Sequence, residues 1–243
     1  MRLLVFLILV SIGFNVKAAA SVEQPVVLEL FTSQSCSSCP TADKVLKELS
    51  ESDHSLLALS FHVDYWDYLG WKDTYSSEIY TDRQRLYARK MESSQVFTPQ
   101  LIINGTNSAV GSDNDLIRKY ISIAKHTPFS IAVELMPMGN QHLLTVKLTA
   151  KDISSLPNKI DIWQVSFDHF ARTQVNAGEN VGRTLESVNN VTSIKKLVQW
   201  QPSVTTKILS LAEFSGDGVA VIAQEQNQGK ILGAGWVFSK VTY

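Results

Sequence analysis

Apolar and polar positions follow two regimes along this chain. Val26-Val27-Leu28-Glu29-Leu30-Phe31 is an almost unbroken apolar run and predicts a buried parallel strand. Beyond the polar stretch Thr32 to Ser35, Val45, Leu46 and Leu49 recur at helical spacing. The helix they predict opens near Cys36-Ser37-Ser38-Cys39, with Pro40 in its first turn, where a missing N–H is no loss. Leu56 to Val63 reads as a second buried strand, so the unit is a β-α-β crossover. Between Tyr65 and Ser94 the chain turns aromatic and charged. Its second part, Ser77 to Glu92, sets Ile79, Leu86 and Met91 among charges and predicts an amphipathic helix. Gln100 to Ile103 and Ser108 to Gly111 are strand-like and flank the turn signal Asn104-Gly105-Thr106. A capping pattern at Ser112 and Asp115 then opens a helix through Leu116, Ile117, Tyr120, Ile121 and Ala124.

After Pro128 the period changes. Runs at Phe129–Leu135, Leu143–Thr149, Ile160–Phe167, Ile208–Leu211, Gly218–Ala223 and Ile231–Phe238 are short, with turn residues between them. They predict a mostly antiparallel, sandwich-like β half. A boundary near Thr127-Pro128 divides an α/β domain over 21–127 from a β-rich domain over 128–243. Residues 1–20 read as a signal peptide: a basic start at Arg2, an apolar stretch from Leu3 to Val16 shorter than the roughly 20 residues of a membrane span, and Ala18-Ala19-Ala20 as an A-x-A cleavage site. Cleavage near Ala20 predicts a periplasmic or secreted protein without a stable membrane anchor. The first 20 residues carry Arg2 and Lys17 and no acid, so 22 basic and 23 acidic residues become 20 and 23, a net charge of −3. That balance gives no sign of a nucleic-acid partner.

Chemistry concentrates at Cys36 and Cys39, the only two cysteines of 243 residues. A C-x-x-C pair between a strand and a helix reads as a redox dithiol, with Cys36 the nucleophile, its thiolate favoured by the helix amino terminus, and Cys39 the resolving thiol. The partner is then a protein or small-molecule thiol or disulfide, and no cofactor is required. Five scattered histidines without paired-ligand spacing argue against structural zinc. Two other readings stay open. One is a copper carrier in which Cys36 and Cys39 bind Cu(I), with His62 as third ligand; the other is a β-rich interaction protein with an incidental disulfide. His62 and Asp64 lie two apart at the carboxyl end of the second strand, where open α/β sheets bind ligands. Tyr65, Trp66, Tyr68, Trp71 and Tyr75 form an aromatic cluster beyond it. In the second half, Gly178-Glu179-Asn180-Val181-Gly182-Arg183 is too polar for a strand centre. It is expected at the domain interface or at the rim of the dithiol cleft.

The order β-α-β, inserted helix, β-β-α, with Cys36-Ser37-Ser38-Cys39 after the first strand and Thr98-Pro99 before the third, resembles the thioredoxin fold. The resemblance implies a cis Thr98-Pro99 bond packed against the dithiol, with the Thr98 backbone available to a substrate. Thioredoxin also places a buried acid six positions before its nucleophile; Glu29 lies seven before Cys36 and is the candidate acid-base partner, although one residue reverses the face of a strand. Where thioredoxin has Gly-Pro between its cysteines this chain has Ser37-Ser38, so its redox potential does not carry over. Leu30 to Pro40 together with Gly178 to Arg183 more closely resemble a family of secreted bacterial proteins of unknown function with a thioredoxin-like N-terminal domain.

Overall fold

The computed structural model describes residues 25–138, 140–211 and 214–238. The leader expected over Met1–Ala20 lies outside them. Strand β1 (Val26–Thr32) is buried along its whole length, as its apolar run requires, and pairs in parallel with the equally buried β2 (Leu56–His62). Helix α1 (Cys39–Ser52) makes the crossover between them. Helix α2 (Glu78–Lys90) follows a short 3-10 turn at Asp67–Leu69. Then come β3 (Gln100–Ile103), β4 (Asn107–Val110) and α3 (Asn114–Lys125). The cap of α3 differs from the sequence expectation: Asp113, not Ser112, is the N-cap, its Oδ1 accepting from Leu116 N at 3.1 Å. Asn104 and Gly105 turn the β3–β4 hairpin with φ of 47° and 72°. A side chain at Gly105 would strike the Gly229 carbonyl at 2.6 Å, so glycine is required for close approach as well as for φ.

The remaining strands are β5 (Ile131–Met138), β6 (Asn140–Ala150), β7 (Ile160–Gln174), β8 (Thr184–Trp200), β9 (Thr206–Leu211), β10 (Gly218–Glu225) and β11 (Ile231–Phe238). They do not form a separate stack. One sheet of eight strands runs β11-β10-β7-β8-β2-β1-β3-β4 across both halves, and β5-β6-β9 form a second sheet. The two halves join where β8 pairs in parallel with β2, Ser60 opposite Asn190, and Ser60 Oγ donates to Val188 O at 2.8 Å. Strand β8 had no counterpart in the sequence reading.

Three cores follow from this arrangement. Leu28 and Leu30 of β1 face α1 and α3, packing with Leu46 and Ile117. Val27 and Phe31 face the opposite side, packing with Phe61, Tyr87 of α2 and Phe167 of β7. The third core, with Ile131, Val146, Ile162 and Val221, lies between the two sheets. Each fully buried Leu, Ile or Phe contributes about 1.5–3 kcal/mol, so β1, whose end carries the dithiol loop, is held by two of these cores. No described helix is long and apolar enough to cross a membrane.

Candidate functional site

Strand β1 ends at Thr32, and the chain turns twice before α1 begins: Cys36 N donates to Ser33 O at 3.2 Å and Cys39 N to Cys36 O at 3.3 Å. Cys36 therefore sits in the turn, two residues before the N-cap Ser38. It is 5% exposed, whereas Cys39 is fully covered. The thiols are not joined as a disulfide. The Thr98–Pro99 peptide is cis, and Thr98 O lies 3.9 Å from Cys36 Sγ. Trp66 Nε1 donates to Thr98 Oγ1 at 2.7 Å, which ties the cis-proline loop to the aromatic segment.

These neighbours separate the two thiols. A hydrogen bond from the Cys39 thiol is the largest influence on Cys36; against the cost of burial, and with help from Ser38 and Thr98, it lowers the Cys36 pKa to about 5. Ser38 Oγ is 3.3 Å from the sulfur. Cys39 is pushed far upward, first by burial, then by its bond to Cys36 and the charge of Asp43. At neutral pH the pair is one thiolate and one thiol.

A buried polar cluster lies behind them. Asp43, one helical turn beyond Cys39, accepts from Thr32 Oγ1 at 2.8 Å, and burial raises its pKa to about 7. His62 is held between two acceptors, Asp73 Oδ2 at 2.7 Å from Nδ1 and Asn190 Oδ1 at 3.0 Å from Nε2. Both ring nitrogens then donate, the form of an imidazolium. Burial opposes that charge, but the Asp73 carboxylate outweighs it and raises the His62 pKa. Asp73 Oδ2 also accepts from Gln34 N at 2.7 Å, and Gln34 Oε1 takes Trp71 Nε1 at 2.9 Å. The loop before Cys36 is thus fastened to the aromatic segment.

The second half reaches the same loop. The hairpin of β7 and β8 places residues 175–183 over it, closed by Gly182 N to Val175 O at 2.9 Å. Asn180, fully buried, donates from Nδ2 to Gln34 O and Cys36 O, both at 2.9 Å. Glu179 Oε2 accepts from Ser37 N at 3.0 Å, and Arg183 Nη1 donates to Asn180 Oδ1 at 2.8 Å.

Residues 27–224, which contain the dithiol, the cis-proline loop and this hairpin, match the family described as protein of unknown function (DUF1223). The chain belongs to the DUF1223 family. Its structure is similar to a crystal structure of a protein from Agrobacterium tumefaciens, with 26% identity, a TM-score of 0.77, and coverage of 93% of this chain and 98% of that one. HBP35 of Porphyromonas gingivalis is similar in fold at 14% identity and a TM-score of 0.61, over 88% of this chain and 75% of that one. No curated protein matches the sequence.

Against this geometry the sequence candidates of the DUF1223 chain divide. Cys36, Cys39, Thr98 and Pro99 come together, with the Glu179–Arg183 loop beside them. Glu29 does not join them. It shares the β1 face of Val27 and Phe31, opposite the face that carries Thr32 toward Asp43, and there it pairs with Arg83 Nε at 2.7 Å and accepts from the Tyr87 hydroxyl. The acid beside the thiols is Asp43, whose spacing of four from Cys39 puts it on the same side of α1. His62 is likewise corrected as a copper ligand: with both nitrogens taken, it has no lone pair to give, and among the described residues no group of three His, Cys, Asp or Glu is arranged for a metal. Asp64 is tied to α2 through the Thr81 hydroxyl rather than joined to His62 in a site. Asp73, Asn190 and Gln34 carried no motif in the sequence.

Proposed function

We propose that this DUF1223 protein is an exported thiol–disulfide oxidoreductase built on a thioredoxin-like first half. The observation that carries the reading is the placement of Cys36 in the turn ahead of α1, 3.9 Å from the Thr98 carbonyl of the cis Thr98–Pro99 loop, with Cys39 covered behind it at the start of α1; these surroundings lower the Cys36 pKa and raise that of Cys39. Low pKa and partial access favour attack by Cys36, and a neighbouring proton acceptor favours delayed attack by Cys39. The β1-α1-β2 crossover and the Thr98–Pro99 loop beside the thiols support the fold assignment, and the leader-like first 20 residues support export.

In the reaction, the Cys36 thiolate attacks one sulfur of a partner disulfide. A bond forms from Cys36 Sγ to that sulfur, the partner S–S bond breaks, and one partner thiolate leaves. The Cys39 thiol then gives its proton to Asp43 and attacks Cys36 Sγ, releasing the second partner thiolate. The partner gains two electrons and the chain keeps a Cys36–Cys39 disulfide; the reverse sequence reduces that disulfide at the expense of a partner dithiol.

Trapping decides the matter. A Cys39→Ser variant of the full 243-residue chain, with its first 20 residues in place and expressed in a bacterium with a periplasm, is expected to accumulate mixed disulfides through Cys36 that reducing agent releases. A variant that captures no partner, together with a wild-type chain that forms no Cys36–Cys39 disulfide in glutathione redox buffers, would overturn the reading.

A further inference from the structure

We propose that Glu179 sets the redox poise of the dithiol, its carboxylate sharing with the Cys36 thiolate the electropositive turn ahead of α1. The inference deepens the thiol–disulfide reading and rests on it. Ser37 lies between the cysteines, and its N–H is among the amides before α1 that lack a helical partner; Glu179 Oε2 takes it at 3.0 Å. Those amides and the helix dipole stabilise whichever anion lies next to them. Thiolate and carboxylate therefore compete for one positive region, and each disfavours the other.

The backbone on both sides holds the carboxylate there. Asn180 is buried and bonded to Gln34 O and Cys36 O. Gly178 packs so closely on the aromatic segment that a Cβ would lie 3.3 Å from Leu69 O and from Trp71 Cβ. Other titratable or charged groups face the thiols from every side: Cys39 and Asp43 on α1, Tyr65 after β2, the His62–Asp73 pair behind Asp43, and Arg183, fixed by Asn180 Oδ1. Replacing Glu179 by glutamine leaves all of them in place. Glutamine also keeps an oxygen to accept from Ser37 N, so only the charge is removed.

The sign follows from which redox state carries charge. The reduced pair has a thiolate at Cys36, and the disulfide has none. Glu179 opposes only the former, so it favours the disulfide and makes the dithiol the stronger reductant. Against glutathione the exchange balances as one glutathione disulfide reduced to two glutathione thiols, with the two electrons coming from the Cys36 and Cys39 sulfurs, one proton from the Cys39 thiol and the other from solvent, since Cys36 is already a thiolate.

The test compares Glu179→Gln with wild type in the full chain from residue 21. Ultraviolet thiolate absorbance titrates Cys36 without any substrate, and glutathione redox buffers read the dithiol–disulfide equilibrium. Removing the charge is expected to raise the Cys36 ionisation constant about threefold, the scale of a solvent-screened charge a few ångströms away. Near neutral pH, above the Cys36 pKa, the equilibrium should move by the same factor toward the dithiol, about 14 mV. Both differences should shrink in high salt, because Glu179 is exposed. Unchanged acidity and potential, or a less acidic Cys36, would overturn the proposal. A threefold acidity change in a chain that does not exchange with glutathione would support the charge effect while overturning the oxidoreductase reading, so the two failures are distinct.

Discussion

The side-chain amide of Asn180 donates to the backbone carbonyl of Cys36 at 2.9 Å from 144 positions away in the chain. The same nitrogen reaches Gln34 O, so one buried residue of the second half satisfies two carbonyls of the loop that shapes the dithiol. Asn180→Ala leaves both acceptors in a covered site without a donor. The expected loss is about 1–3 kcal/mol of stability, read as a lower denaturant midpoint. Full stability in that variant would mean that water replaces the amide at no cost and that the second half does not organise the loop.

Thiol reactivity should differ sharply along the motif. Iodoacetamide is expected to modify Cys36 alone near neutral pH, with a rate that levels off above a midpoint near 5, while Cys39 reacts only after unfolding. Mass mapping of singly alkylated protein checks the site, and Cys36→Ser should abolish the fast phase. Equal labelling of both cysteines would remove the division of roles.

Asp43 offers a prediction whose sign is opposite to that of most carboxylates. Its pKa rises from 3.8 to about 7 on folding, because burial penalises the anion. The folded chain thus holds a proton that the unfolded chain releases near pH 4, and stability falls as pH rises from about 4 to about 7. Asp43→Asn keeps an acceptor for Thr32 and removes that slope. It should stabilise the protein above neutrality by up to about 4 kcal/mol, from roughly three units at 1.36 kcal/mol each. It should also slow the resolution of a mixed disulfide by about 10²-fold, the lower range for a lost general base. A variant less stable at alkaline pH, or one that resolves at the wild-type rate, would place the proton acceptor elsewhere.

The first half was legible because its strands are buried on both faces and read as plain apolar runs: Val26 to Phe31 is β1, with one residue added, and Ile231 to Phe238 in the second half coincides with β11. Strand β8 was not legible. From Thr184 to Lys196 its polar residues Glu186, Asn189, Asn190, Thr192, Ser193 and Lys195 break any period of two, and the pairing with β7 shifts register between Ser166 and Phe167. Its polar side chains are satisfied by long-range partners, such as Asn189 Nδ2 to Ala58 O at 2.8 Å, which a local pattern does not encode. Glu29 shows the reverse problem. Its place in the strand was readable, but its partner Arg83 lies 54 positions on, so an acid among apolar neighbours passed for a catalytic group.

That ion pair is itself testable. Arg83 stacks over Phe61, Tyr87 and Trp163 at 5.3–5.6 Å while bonding Glu29, with both side chains at most 2% exposed. Glu29→Gln leaves a buried guanidinium without its counter-charge and should cost about 3–5 kcal/mol. The Cys36 ionisation midpoint should stay where it is in the folded variant. A change in Cys36 acidity without loss of stability would restore Glu29 to the redox machinery.

His62 and Asp73 bound the pH range in which the site is most stable. The His62 pKa is raised on folding, so its contribution is complete below the unfolded value of about 6.5 and is lost as pH rises through the folded one. For Asp73 burial works against the anion, but the His62 charge and the hydrogen bonds from His62, Gln34 and Tyr75 prevail and lower its pKa. Its contribution is present above about 4 and is lost as pH falls. Asp43 adds a loss from about 4 to about 7. Together they predict a stability maximum on the acid side of neutrality, between about pH 4 and 6.5, as read from melting temperatures across pH. His62→Gln should remove the imidazole's own share of the alkaline fall, lowering stability more below about pH 6.5 than above it, while the share due to Asp43 remains. It should also raise the Asp43 pKa further, since the His62 charge is the largest influence holding that value down. A melting profile with its maximum above neutrality, or one unaltered by His62→Gln, would show that this buried pair is not ionised in the folded protein.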